Sequence, residues 1–357
     1  MMLLARFCTA ALLTLLVLSD AAAQRLPRSE LENELQRIFT DSGARGMVVT
    51  IVHNHVGTVR GYGETRPGSG RKPDGLSLLR INSTSKLFVA DLLGTFVSDG
   101  RLDLDEPLQR YAPAGRQVPT AITLGQLATH TSGLPRSADL KGLDPSPEKA
   151  RWLWLERQTN LPVPGRSARY SNVAFDLLAD AIGNKLGTPY AQLLAQRVTG
   201  PLRMIDTTAT PTEAQCARLM DAGGAATSLP CNDQLPGIGA GGLYSTANDI
   251  GLWMQSQLAA DRRAHAVQVR RNDLTSVEGL DVAGPIDGIG LAWLHQAADE
   301  NHPALIQKTG GGGGFMSYIV LVPDADLGIF IAMTRVDGEV MKTMTRQVND
   351  LAGMLAR

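Results

Sequence analysis

Ser83 and Lys86 are the two residues of this sequence best placed to carry out nucleophilic chemistry. They stand three positions apart and open a segment, 87–97, whose apolar residues recur at helical spacing before Gly100. On a helix this spacing puts both side chains on one face, with Cβ atoms roughly 5–6 Å apart. A serine hydroxyl is a weak nucleophile at neutral pH, and a lysine that has lost or shares its proton can act as the base that activates it. The pattern predicts a serine nucleophile at the start of a buried helix.

The Ser-x-x-Lys pattern is not specific by itself, because Ser69 and Ser146 also have a lysine three positions further on. Ser69 lies in a loop rich in glycine, proline and arginine, with no helix to align the pair. Ser146 precedes Pro147, an order typical of a helix N-cap followed by a proline at the first helical position. We therefore expect structural roles for both of these serines.

Two downstream motifs distinguish Ser83 from the other serines. Residues 170–172 read Tyr-Ser-Asn before a helical pattern, and residues 308–310 read Lys-Thr-Gly in a β-rich part of the chain. In this order, Ser-x-x-Lys, Tyr-x-Asn and Lys-Thr-Gly resemble the motif set of the serine β-lactamase/penicillin-binding protein superfamily. The Tyr-x-Asn version is similar to that of class C β-lactamases and their DD-peptidase relatives.

Longer stretches make the resemblance more specific. Segments 61–69, 127–136, 169–182 and 307–315 are similar to the AmpH-type periplasmic D-alanyl-D-alanine carboxypeptidase/endopeptidases. The similarity runs over nearly the whole chain after the N-terminal leader. It implies a β-lactamase/transpeptidase-like fold of the α/β (α+β) class, with the active site in the cleft between two lobes.

The resemblance implies how the first two motifs would perform acyl transfer. Ser83 would be the nucleophile that forms an acyl-enzyme. Lys86 and Tyr170 would be the base pair that shares its proton, and which of the two holds the proton stays open. Asn172 would hydrogen-bond the substrate amide and orient Lys86.

Substrate-binding roles follow for residues near the end of the chain. Lys308 and Thr309 would meet the substrate carboxylate, and the backbone N–H of Gly311 would join that of the nucleophile in the oxyanion hole. Gly310 begins a run of glycines, which are costly in a strand unless a backbone or ligand approaches closely.

After the strand at 328–333, class C enzymes have an asparagine, whereas this chain has Thr334 and Arg335. The AmpH-type enzymes also have Thr-Arg at this place. We expect Arg335 to bind a peptide carboxylate, the alternative being a solvated surface arginine.

Composition excludes some partners and predicts a compartment. The 357 residues are 43% hydrophobic with a net charge of −1, and they contain no basic block that would indicate nucleic-acid binding. Residues 1–23 have the charge, apolar run and Ala-x-Ala ending of a signal peptide, an uncleaved anchor being the alternative. We expect a periplasmic hydrolase domain over residues 24–357, with no transmembrane helix after cleavage and peripheral membrane association left open.

The cysteines, histidines and glycines predict a disulfide and no metal or nucleotide site. Cys8 falls in the leader, and Cys216 and Cys231 remain as an even pair for which a disulfide is predicted, the alternative being two free thiols. His53 and His55 have no third metal ligand at suitable spacing, so we expect turn histidines and no metal or cofactor. The Gly-x-Gly-x-x-Gly string at 237–242 follows no strand and opens no βαβ unit, which argues against dinucleotide binding.

Hydrophobic patterning predicts the architecture independently of the motifs. A helix at 29–42 and a hairpin at 46–62 start the chain; short strands at 288–296, 304–308, 315–322 and 328–334 and a helix at 338–356 end it. Short connections favour antiparallel neighbours. We expect one sheet built from both chain ends (about 24–80 and 285–357) with helices on it, plus an all-helical lobe in between.

Several functions are compatible with these residues. The leading hypothesis is a serine DD-peptidase acting on D-Ala-containing peptidoglycan stem peptides and acylated by β-lactams. A class C-like β-lactamase uses the same residues but deacylates quickly, and an esterase of the same fold is a third candidate. A β-lactam sensor would need a membrane-coupled signalling segment, and a structural wall-binding role would leave three intact motifs idle.

Overall fold

The computed structural model describes residues 26–118, 121–221, 231, 237–259 and 263–357, so the predicted signal peptide, residues 1–23, lies outside the described residues. The helices are α1 (Arg28–Ser42), α2 (Ser85–Ser98), α3 (Leu124–Ala128), α4 (Pro147–Glu156), α5 (Asn172–Leu186), α6 (Tyr190–Leu194), α7 (Glu213–Cys216), α8 (Ile238–Gly241), α9 (Ala247–Leu258) and α10 (Gly338–Leu355). The strands are β1 (Gly46–His53), β2 (Val56–Gly63), β3 (Leu78–Arg80), β4 (Ala168–Arg169), β5 (Tyr244–Thr246), β6 (Val269–Arg270), β7 (Val277–Glu278), β8 (Gly288–Ile289), β9 (Leu294–Gln296), β10 (Leu305–Gly312), β11 (Phe315–Val322) and β12 (Leu327–Met333).

The main sheet joins both ends of the chain, as the sequence predicted. Its eight strands lie in the order β2-β1-β12-β11-β10-β9-β8-β6, and every neighbouring pair is antiparallel. β1 pairs with β12 from Met47 opposite Met333 to His53 opposite Leu327. β10, which carries the Lys-Thr-Gly motif, lies in the middle of the sheet, where strands on either side fix its position.

Helices cover both faces of this sheet, which explains the long apolar strands. Alternate residues of β1 point to opposite faces. Met47 and Val49 pack with α1 and α10, whereas Val48 and Val52 join the larger core that contains α2 and α9. All eight residues of β11 and all seven of β12 are buried, as expected for strands covered on both sides.

The sheet differs from the prediction at its far edge. β6 belongs to it, so the sheet draws on residues before the expected start at about 285. The predicted strand at 288–296 is a hairpin of two short strands, β8 and β9. Its turn places Ala292 at φ 63°, a conformation that alanine seldom adopts. The turn is held by tertiary contacts, since the N–H groups of Leu291 and Ala292 donate to the carbonyls of Ala264 and Ala128. Its one glycine, Gly290, does not occupy the left-handed position.

The middle of the chain is largely but not entirely helical. β3 pairs with β5 and β4 pairs with β7 in two small sheets, which corrects the expectation of an all-helical lobe. Strands of two or three residues are too short to show alternation, so their pattern carries no signal.

The structure confirms the predictions for Ser146, for the β1–β2 turn and for the cysteine pair. The Ser146 side chain caps α4, with Pro147 at its first turn. His55 lies in the β1–β2 turn at φ 63°, beside the carboxylate of Asp326. Cys216 and Cys231 form a disulfide with Cα atoms 5.7 Å apart. Across the described ranges, no helix has both the length and the apolar character needed to cross a bilayer.

Candidate active site

Ser83 lies in a single 3-10 turn, Asn82–Thr84, directly before α2. The sequence predicted that the helix itself begins at Ser83, whereas α2 starts two residues later. Residues from Ser85 to Gly94 are all buried, so this helix runs through the protein interior rather than along a surface. Because the turn is fixed to a buried helix, the Ser83 side chain is held at the cleft while remaining partly accessible.

The Ser83 hydroxyl meets the two groups that the sequence proposed as its base. The Tyr170 hydroxyl lies 2.5 Å from Ser83 Oγ, and the Lys86 Nζ lies 3.4 Å from it. Lys86 also donates to the side-chain oxygen of Asn172 at 2.8 Å and to the carbonyl of Ala240 at 2.6 Å. The Ser-x-x-Lys and Tyr-x-Asn motifs, which are far apart in the sequence, therefore form one hydrogen-bonded cluster.

Lys86 is fully buried, and its contacts in the cluster are to neutral oxygens. Burial lowers the pKa of Lys86 to about 7, against the opposing effect of the Asp176 carboxylate and with the guanidinium of Arg136. An amine with this pKa is present in both protonation states near neutral pH. Lys86 can therefore accept a proton and give it back without a large free-energy cost.

Three cations surround the ring of Tyr170, which is itself buried. The Nζ atoms of Lys86 and Lys308 lie 4.9 Å and 5.0 Å from the ring centroid, and the Arg136 guanidinium carbon lies 4.8 Å from it. Cations over an aromatic face are attracted to it. Arg136 was not predicted as a site residue, although it is the last residue of the segment 127–136 that resembles the AmpH-type enzymes.

Lys308 reaches the same cluster from β10. Its side chain is 1% exposed, and burial lowers the pKa of Lys308 to about 8, while Tyr170 opposes this shift. Its Nζ lies 3.4 Å from the carbonyl of Thr309, whose own side chain is partly exposed. The third motif thus supplies a positive charge beside Tyr170 and a hydroxyl-bearing residue next to it.

Gly310 is the point of closest approach between β10 and the Ser83 turn. A Cβ atom added there would lie 2.4 Å from Ser317 Oγ, 2.6 Å from the Ile81 carbonyl oxygen and 3.2 Å from the Ser83 nitrogen. No side chain fits without moving the nucleophile. Gly311 has open space by comparison, with only the end of Met341 at 3.7 Å, and the residue is exposed to solvent.

Asn82 and Ser317 hold this approach in place, and sequence reasoning missed both. Asn82 adopts φ 49°, and its amide donates to the carbonyls of Gly312 and Phe315 at 3.1 Å and 3.3 Å. Ser317 donates to the Ile81 carbonyl at 3.0 Å and lies 3.1 Å from the Thr84 hydroxyl. A serine within the otherwise apolar strand 315–322 was the one available signal.

His130 supports Tyr170 from behind. Its ring stacks on the Tyr170 ring with centroids 4.8 Å apart, and its Nδ1 accepts from the Ser171 N–H at 3.0 Å. Burial, with the surrounding cations, holds the pKa of His130 well below its usual range. A neutral imidazole here accepts the backbone N–H and so fixes the start of α5, where Asn172 stands.

Arg335 is the predicted site residue that the structure does not bring into the cluster. Its guanidinium lies 3.2 Å from the carboxylate of Asp337 and 3.5 Å from the carbonyl of Gly43. These contacts connect the end of β12 with the start of α10 and the end of α1. Its carboxylate-binding role remains a prediction.

Known proteins are similar to this chain over almost its whole length. The family described as Beta-lactamase matches residues 31–353. The chain is 40% identical to the D-alanyl-D-alanine-carboxypeptidase/endopeptidase AmpH of Escherichia coli K12, over 94% of this chain and 92% of that protein. A structure of a β-lactamase/D-alanine carboxypeptidase from Yersinia pestis complexed with citrate superposes with a TM-score of 0.84 at 38% identity, covering 92% of this chain and 97% of that one.

More distant likeness extends to the class C enzymes. The structure of a class C β-lactamase superposes with a TM-score of 0.76 at 18% identity, covering 91% of this chain and 94% of that one, a similarity that concerns the fold alone. The resemblance and the β-lactamase/transpeptidase-like fold predicted from the sequence are both confirmed. This chain belongs to the beta-lactamase family.

Proposed function

We propose that the protein is a serine DD-peptidase, a carboxypeptidase and endopeptidase that cleaves D-Ala-containing stem peptides of peptidoglycan. The observation that carries the proposal is the convergence of the Tyr170 hydroxyl and the Lys86 amine on Ser83 Oγ. Similarity to AmpH at 40% identity supports peptide cleavage as the activity of this site. As proposed, β-lactams would acylate the same serine.

In the proposed acylation step, Ser83 Oγ attacks the carbonyl carbon of the penultimate D-Ala. The serine proton passes to the Lys86–Tyr170 pair as the new C–O bond forms. The Tyr170 hydroxyl, which donates to Ser83 Oγ at 2.5 Å, would take the serine proton as it gives its own proton to the neutral amine of Lys86. When the C–N bond breaks, the same pair returns the proton to the leaving amine and D-Ala departs. Water then hydrolyses the ester by the reverse sequence.

Substrate binding would use the residues of β10. The backbone N–H groups of Ser83 and Gly311 would stabilise the oxyanion of the tetrahedral intermediate. Lys308 and Thr309 would hold the terminal carboxylate of the peptide, because an ammonium and a hydroxyl beside it complement that group. Asn172, already bonded to Lys86, has its amide nitrogen available for the substrate. Arg335 would bind substrate only if its guanidinium left the Asp337 carboxylate and bound a peptide carboxylate instead.

Export completes the proposal. Residues 1–23 would act as a signal peptide, and the mature domain, 24–357, would work in the periplasm, where stem peptides are found. The disulfide between Cys216 and Cys231 suits an oxidising compartment. Fractionation of cells that express the full chain tests the compartment, and a washed membrane pellet in the same experiment tests peripheral association.

The second candidate, a class C-like β-lactamase, differs in the rate of deacylation. The observation in its favour is a fold shared with class C enzymes. One experiment separates the two: the mature protein is incubated with a muropeptide pentapeptide and, separately, with nitrocefin. Release of D-Ala with negligible nitrocefin turnover supports the DD-peptidase. Rapid nitrocefin turnover with intact pentapeptide would favour the β-lactamase.

A further inference from the structure

Asp176 lies one helical turn after Asn172 on α5, beneath the buried amine of Lys86. Its Oδ1 accepts from the backbone N–H of Ala240 at 2.8 Å, and the carbonyl of the same residue accepts from Lys86 Nζ at 2.6 Å. Ala240 is therefore held between a carboxylate and an amine. Asn172, one turn earlier on α5, contacts Lys86 directly. Asp176 reaches the same amine indirectly, through the backbone of Ala240.

The glycine string that resembles a dinucleotide fingerprint makes this relay geometrically feasible. A Cβ on Gly239 would lie 2.4 Å from the carbonyl oxygen of Phe175, and a Cβ on Gly237 would lie 2.3 Å from Asp176 Oδ2. Only glycine at these positions allows α8 to approach α5 this closely. The string thus brings a backbone, rather than a nucleotide, against the carboxylate.

Charged groups around Asp176 come from four helices. Burial raises its pKa, whereas Arg151, the Ala240 N–H and Lys86 lower it. The remaining titratable groups that face it or its partners are Asp180 on α5, Glu148 on α4 and Tyr190 on α6. Around Lys86 itself the charged neighbours are Arg136 and, across the Tyr170 ring, Lys308. Within this described cluster, Asp176 is the carboxylate that acts on Lys86.

We propose that Asp176 is a positioning residue for the acyl-transfer site: through Ala240 it fixes the carbonyl that orients Lys86, and its charge stabilises the protonated amine. This inference rests on the proposed chemistry of Ser83 and Lys86, not on which peptide is cleaved. Because Ala240 lies between them, the negative charge of Asp176 favours the ammonium form of Lys86 without forming a direct ion pair with it.

The alternative is that Asp176 only packs α8 against α5. Two substitutions separate the roles. Asp176→Asn keeps an oxygen that can accept the Ala240 N–H but removes the charge. Asp180→Asn is the matched control, because it removes an equally buried carboxylate one turn further along α5 that is bonded to Arg151 and does not contact Ala240.

The measurement is the rate of Ser83 acylation by benzylpenicillin from pH 5 to 9, followed by intact-protein mass. In the native enzyme we expect an acidic limb near pH 7, because Lys86 must lose its proton to act as a base and its pKa is about 7. Removing the charge of Asp176 makes the ammonium less stable, so the limb should move to lower pH by roughly one unit. The Asp180→Asn limb should stay within about 0.3 units of the native one.

Each outcome decides the inference. An unmoved limb in Asp176→Asn, or an equal shift in both variants, would overturn it. A native enzyme that benzylpenicillin does not acylate at Ser83 would instead contradict the proposed function. If Asp176→Asn fails to fold by circular dichroism, Gly237→Ala replaces it, because the added Cβ displaces the carboxylate without removing it. That variant should also move the acidic limb of acylation to lower pH, because the displaced carboxylate stabilises the ammonium less, and an unmoved limb would equally overturn the inference.

Discussion

Lys86 on α2 and Arg151 on α4 are two buried cations on helices that both pack against α5. They show how the placement of a carboxylate decides what a cation can do. Arg151 forms a two-pronged ion pair with Asp180 at 2.6 Å and 2.8 Å. Burial alone would lower the pKa of Arg151, but the hydrogen bonds that it donates to the Asp180 carboxylate raise this pKa above its ordinary value. Lys86 meets neutral oxygens, and its nearest carboxylate acts through a backbone residue.

The difference teaches that a permanent charge and a proton carrier need different partners. Direct pairing makes Arg151 a structural element whose charge is constant. Indirect pairing leaves Lys86 with a pKa of about 7, where it can exchange a proton during turnover. The same fold therefore holds one cation for stability and another for chemistry within a few helical turns.

The largest expected effect comes from making Lys86 resemble Arg151. In Lys86→Arg the charge remains, but a guanidinium cannot lose its proton at neutral pH. We expect the acylation rate of Ser83 to fall on the order of 10³-fold. Lys185→Arg, on the exposed end of α5, is the matched control and should match the native rate. Near-native acylation by Lys86→Arg would mean that Lys86 is not a proton carrier.

A smaller effect is expected where β10 approaches the nucleophile. The Cβ of Gly310→Ala must displace the Ser317 side chain and the Ser83 turn, so kcat/KM for a D-Ala-D-Ala peptide should fall about 10²-fold. Gly338→Ala, which has open space at the start of α10, should retain native kcat/KM. If both variants retained native kcat/KM, the close approach at Gly310 would have no part in positioning Ser83.

The structural role of Arg151 predicts an effect on stability rather than on rate. Arg151→Lys keeps the charge but loses the two-pronged geometry, which should lower the free energy of unfolding by about 1–2 kcal/mol while kcat stays within about twofold. Denaturant unfolding and steady-state kinetics measure the two quantities. Arg110→Lys, in an exposed pair with Glu106, should change neither. A large loss of kcat in Arg151→Lys would contradict the division between the two cations.

The smallest effect is expected at Arg335. Because its guanidinium is bonded to Asp337 and to the end of α1, Arg335→Ala should change kcat/KM for the pentapeptide by less than about threefold. Arg346→Ala on the exposed side of α10 serves as the comparison. A tenfold or greater rise in KM for the pentapeptide, with kcat preserved, would instead support the carboxylate-binding role.

Sequence patterns predicted the residues that meet at Ser83 better than the residues that hold them there. The three motifs identify Lys86, Tyr170 and Lys308, because they resemble the motif set of a known superfamily of serine acyl-transfer enzymes. Asn82 and Asp176 carry no such constraint, since a buried amide or carboxylate looks like any surface polar residue until its partners are known. Ala240 could not be found at all, because it contributes only backbone atoms.

The same reasoning explains the errors in the fold. The sheet was predictable because β1, β11 and β12 show sustained apolar runs. The β8–β9 turn was missed because tertiary hydrogen bonds, rather than glycine or asparagine, hold Ala292 in a left-handed conformation. Arg335 was predicted from the Thr-Arg pair that AmpH-type enzymes also have after this strand, and its role stays a prediction beside its contacts with Asp337 and Gly43.

The most direct test of the account is the site of covalent acylation. The native protein and Ser83→Ala are treated with benzylpenicillin, digested and mapped by mass spectrometry. We predict a single adduct on the peptide that contains Ser83, and no adduct in the variant. An adduct on another residue, or equal labelling of both proteins, would contradict the assignment of Ser83 as the nucleophile.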